Sequence, residues 1–72
     1  MLAEHTGGMS TTTVRAELSS IGSTIGDLRG RLGVLATPAP GISEELLVAL
    51  IEAERSLGVA LRLVERAQRS VH

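Results

Sequence analysis

Apolar residues recur along the first half of the chain at alternating spacings of four and three: Val14, Leu18, Ile21, Ile25, Leu28, Leu32 and Leu35. This is an unbroken heptad seam, the repeat by which one helix presents a continuous apolar stripe to another. It predicts a first helix over about residues 11–36, with Ser10 or Thr13 as its N-cap. A second seam, Leu46, Leu50, Ala53, Leu57, Ala60, Val64, Ala67 and Val71, predicts a second helix over about residues 44–70. The two are separated by "TPAPGI", residues 37–42. Pro38 and Pro40 bias the residues before them away from helix, and Gly41 tolerates whatever turn remains. The restart is well marked: Ser43 is a good N-cap, Glu44 and Glu45 bring negative charge to the first turn, and Ile42 with Leu47 occupies the two positions of a hydrophobic staple. A short connection between amphipathic helices folds them into antiparallel neighbours, so the fold class expected is all-α, a helical hairpin with its turn at 37–42.

The apolar pattern asks for more than one hairpin supplies. Along the second helix Ala53, Ala60 and Ala67 recur every seven residues and alternate with the larger Leu50, Leu57 and Val64, a spacing that lets another helix pack closely. Leu47, Ile51, Leu61 and Leu63 widen the apolar arc beyond a single seam. Two helices enclose no interior, so the pattern predicts self-association into a four-helix bundle or a larger helical oligomer. The interface expected comprises Leu18, Ile21, Ile25, Leu28 and Leu32 of the first helix with Leu46, Leu50, Ala53, Leu57, Ala60, Val64 and Ala67 of the second. The first helix also carries Gly22, Gly26, Gly30 and Gly33 among serines and threonines. Each glycine costs about 1 kcal/mol relative to alanine in a helix interior. Either seam packing carries that cost, or these small residues admit another backbone.

Composition narrows the functional classes. With 72 residues and no cysteine, the chain holds one small domain without disulfide support. Aromatic residues are absent, which removes base-stacking platforms, and the formal net charge is −1. Nucleic-acid binding is therefore not expected. Residues 1–9 show no periodicity and read as a disordered tail preceding a hairpin over 10–72. They lack the basic and apolar regions of a secretory signal, no stretch is apolar enough to span a membrane, and a cytoplasmic location is the expectation.

Candidate chemistry is sparse. His5 and His72 sit at opposite ends of the chain, far from any arrangement in which a base activates a nucleophile. Glu52 and Glu54 lack the Glu-x-x-His partner of a di-metal bundle. "GSTIGDLRG" lies inside the heptad pattern and lacks the Lys-Ser/Thr ending of a phosphate loop. The sequence points to no enzyme, no cofactor and no metal. Arg55, Arg62 and Arg69, with Arg66, line one face of the second helix and could meet an acidic partner; Glu52 and Glu65, three or four residues from Arg55 and Arg69, suit ordinary intrahelical pairs instead. The Gly/Ser/Thr side of the first helix has the outline of a lipid-inserting helix but no aromatic or basic anchor, so close protein packing is the better account.

In outline, residues 14–70 resemble the small helical-hairpin substrates of type VII secretion systems. Their Trp-x-Gly turn and tyrosine-based signal are missing here, and the turn reads Thr37-Pro38-Ala39-Pro40-Gly41 instead. The likeness is one of architecture. The function expected is that of a non-catalytic assembly, scaffold or accessory subunit: a homo-oligomer that also meets a larger protein partner. The alternatives are a secreted or membrane-surface hairpin effector and a regulatory adaptor that binds a partner helix.

Overall fold

A computed structural model of the chain describes residues 10–72; the tail expected over residues 1–9 lies outside the described residues. Two helices, α1 (Thr11–Leu35) and α2 (Glu44–Arg69), pack against each other as a hairpin. Local chemistry fixes both starts. Ser10 has extended backbone and its Oγ accepts the Thr13 N–H at 3.1 Å; Ser43 does the same for the Leu46 N–H at 3.0 Å. Each hydroxyl satisfies a backbone donor that the helix cannot, worth about 1 kcal/mol. Glu44 and Glu45 at the start of α2, with Arg66 and Arg69 in its last turn, also suit the helix dipole.

α1 ends where its carbonyls find their last partners. The Ala36 N–H reaches the Leu32 carbonyl at 2.9 Å, and the Thr37 N–H the Leu35 carbonyl at 2.8 Å. The chain then reverses through Ala39–Pro40–Gly41–Ile42, closed by the Ile42 N–H on the Ala39 carbonyl at 3.0 Å, with Gly41 at φ 90°. Proline at the second position and a left-handed glycine at the third define a type II turn. Gly41→Ala should destabilise the hairpin by about 1 kcal/mol or more, because a Cβ is strained at that φ. Gly30 gives the opposite expectation. A Cβ there meets nothing within 4 Å, so Gly30→Ala should stabilise by about 1 kcal/mol through helix propensity alone. Urea unfolding at one fixed chain concentration measures both.

The helices meet through small residues. A Cβ on Gly22 would lie 3.7 Å from Leu61 and 3.8 Å from Val64, one on Gly26 4.0 Å from Leu61, and one on Gly33 3.4 Å from the Glu54 carboxylate. From the other side, Gly58 is the one buried residue among those described, covered by the Arg29 guanidinium, which lies 3.1–3.3 Å from the position of a Cβ there. The glycines that weaken α1 as an isolated helix are thus the ground on which α2 lies. At the open end, Arg15 Nη2 donates to the Val71 carbonyl at 2.8 Å and ties the start of α1 to the end of the chain.

No hydrophobic side chain among the described residues is buried. The contact between α1 and α2 is therefore a half-wet one, and the enclosed interior that stabilises a small domain is missing from the single hairpin.

Candidate interface

The two sides of the hairpin differ in chemistry. On one, an open groove of about 320 Å³ is lined by Leu28, Arg31, Leu32 and Leu35 of α1 and Leu57 of α2. On the other, one groove is lined by Ser19, Gly22, Ser23, Leu61, Glu65 and Gln68, and another by Arg29, Ile51, Glu54, Arg55 and Arg62. The first side is apolar and the second largely polar. The 100° step of a helix explains the division. The heptad seam of each helix is rotated off the line joining the two axes, and because the helices run antiparallel both seams turn toward the same side of the hairpin.

In α1, Leu18, Ile25 and Leu32 are half-buried against α2, whereas Ile21 and Leu28 are 44% and 40% exposed and continue to Leu35 at 59%. The seam thus splits in two: one half serves the hairpin, and the other forms an outward ridge at Ile21, Leu28 and Leu35, spaced by sevens. In α2, Leu50, Ala53, Leu57, Ala60 and Val64 are half-buried, and Leu46 and Ala67 are exposed. Ala53, Ala60 and Ala67 form a low shelf beside the groove, because alanine extends only a methyl group from the backbone.

Three residues matter more to the hairpin than the apolar pattern indicates: Arg29, Glu54 and Gly58. Gly58 is the only glycine of α2. That a lone glycine sits within an otherwise strong helix former is the signal for close approach.

The remaining candidates stay apart. Arg55, Arg62 and Arg69 are exposed on α2; Arg62 and Arg69 flank an open groove with Val59, Leu63, Glu65 and Arg66, and Arg55 lies farther along toward the turn. Exposed Val48, Val59 and Leu63 lie on this outer side as well. Among the described residues no group of three or more histidine, cysteine or acidic side chains could hold a metal ion. No helix among them is long and apolar enough to cross a membrane. Comparison with protein-family models, with curated proteins and with solved structures finds no match to this chain.

Proposed function

We propose that the protein is a non-catalytic assembly subunit that acts through protein–protein contacts, associating with itself through the apolar side of the hairpin. The observation that carries this reading is that no hydrophobic side chain among the described residues is buried, while the hairpin displays Ile21, Leu28, Leu35 and Leu46 on its surface. A single hairpin leaves these residues in water; a second helical layer over them creates the interior that the first lacks. Completing the burial of a half-exposed leucine contributes about 1 kcal/mol. In a symmetric pair each such residue counts twice, and two hairpins stacked face to face form a four-helix bundle. Leu28, Leu32, Leu57 and Ala60 would then lie at its centre.

The outer side of α2 offers a second contact. Val59 and Leu63 stand exposed among Arg62, Arg66 and Arg69, with Glu65 the one acidic residue of the groove, a mixture of apolar surface and net positive charge that fits an acidic face on a larger protein partner. Light scattering on the purified chain tests self-association. We expect a mass of at least twice the 7.5 kDa of one chain at micromolar concentration. A monomer at that concentration contradicts the reading.

A further inference from the structure

We infer that the occupant of the apolar side is a second copy seated turn over turn, related by a two-fold axis parallel to the helices, so that α1 of each copy lies on α2 of the other. The inference rests on the self-association proposed above and fixes its polarity.

Two face-to-face two-fold arrangements of a hairpin exist. With the axis parallel to the helices, both turns lie at the same end and each α1 covers the other copy's α2. With the axis perpendicular to them, the turns lie at opposite ends, α1 covers α1 and α2 covers α2. The register within one hairpin decides between them, because the first arrangement keeps every residue at its own level along the bundle.

That register is set by three contacts: Arg29 on Gly58, Gly33 beside Glu54, and Arg15 on the Val71 carbonyl. Ile21, Leu28 and Leu35 consequently stand within about two residues, or about 3 Å along the axis, of the levels of Ala67, Ala60 and Ala53. Turn over turn, each residue of the outward ridge meets an alanine of the shelf, large on small, at all three levels. In the crossed arrangement the ridge meets its own copy and the shelf meets its own copy. Helices separated by facing leucines stand farther apart than helices separated by facing alanines, within a range of about 8 to 10 Å. A pair of hairpins would then close on one side and gape on the other.

Charge at the rim agrees. Asp27 and Arg31 lie at the outer edge of α1, and Glu45 and Glu52 at the outer edge of α2, on either side of the apolar strip. Turn over turn, Arg31 of one copy comes within about one helical turn of Glu52 of the other, inside the reach of an arginine side chain. In the crossed arrangement the Glu45–Glu52 edge lies along the same edge of the other α2, where Ser56, Leu63 and Ser70 supply no positive charge, while Arg31 would come level with Glu17 of the other α1, so the large-on-small fit is what separates the two arrangements.

The chain has no cysteine, so single labels can be placed without background. Ala39→Cys, in the turn, and Ser70→Cys, at the open end, each carrying one nitroxide, are measured by pulsed dipolar spectroscopy on the full chain, with mass and helicity checked on the same samples. Turn over turn, both labels give copy-to-copy distances of roughly 20 to 30 Å, since the labels face each other across one bundle. The crossed arrangement separates them by a helix length, about 35 Å or more. A dimeric mass with long distances from both labels overturns the inference and leaves self-association standing. A monomeric mass with no dipolar signal overturns both.

Discussion

Leu28→Asp should abolish self-association while leaving the hairpin helical. Leu28 lies on the apolar groove at 40% exposure. In a free hairpin an aspartate there keeps its water and costs only helix propensity, a few tenths of a kcal/mol. In the assembly, two carboxylates would enter an apolar layer, and Arg31 at the edge of the groove, turned toward Glu52 of the other copy, would not follow them into it. Leaving a charge buried and unpaired costs about 3 kcal/mol or more, and the symmetric interface incurs the cost twice, so association should weaken by well over about 100-fold. The control is Val34→Asp. Val34 is 77% exposed on the far side of the same helix, and the same change there should leave the mass of the assembly unaltered. Sedimentation velocity on the two variants makes the comparison; equal masses would show that this side of α1 is not the interface.

Ala60→Leu should also break the assembly, for the opposite reason. In the turn-over-turn pair Leu28 of one copy would rest on Ala60 of the other, and three added heavy atoms there would either force the helices apart or take up strained rotamers, at about 1 to 3 kcal/mol per site. On a free surface the exchange is nearly neutral, because leucine is almost as good a helix former as alanine. Ala49→Leu is the matched control: Ala49 is exposed and stands level with the turn, beyond the end of α1 at Leu35. Loss of the oligomer in Ala60→Leu and its retention in Ala49→Leu are the expected results. Combining Ala60→Leu with Leu28→Ala restores the large-on-small fit and should recover part of the lost association. Equal tolerance of Ala60→Leu and Ala49→Leu would place the interface on another face of α2.

Much of the hairpin was legible in the sequence because it is written in local chemistry. Ser43, Pro40 and Gly41 each act through their own backbone or the residues beside them, so the turn and the start of α2 follow from a short stretch of chain. The heptad seams were legible for a related reason: periodicity reports which side of a helix is apolar. It does not report which part of that side meets the partner helix of the same chain. Ile25 and Ile21 belong to one seam, yet Ile25 is half-buried against α2 and Ile21 faces outward, a division set by how far each helix is rotated about its own axis. That rotation depends on Gly22, Gly26 and Gly33 lying beneath Leu61, Val64 and Glu54, an approach between residues far apart in sequence. The sequence favoured close protein packing as the use of the glycine side of α1 but could not say which glycines it involves; the structure lays α2 over three of them and leaves Gly30 open. The Arg29–Gly58 contact was not foreseen, since it pairs a charged residue with one that has no side chain, and neither apolar periodicity nor charge pairing marks such a contact.

On our proposal the hairpin acquires its interior from a second copy. A dilution series from about 100 μM to about 0.1 μM, followed by circular dichroism and sedimentation velocity on the same samples, tests it most directly, because association coupled to folding makes stability depend on chain concentration. The predicted result is that mass and melting temperature fall together on dilution, the mass from at least twice 7.5 kDa toward that of one chain. A 7.5 kDa species across the whole series, melting cooperatively at one temperature, would contradict it.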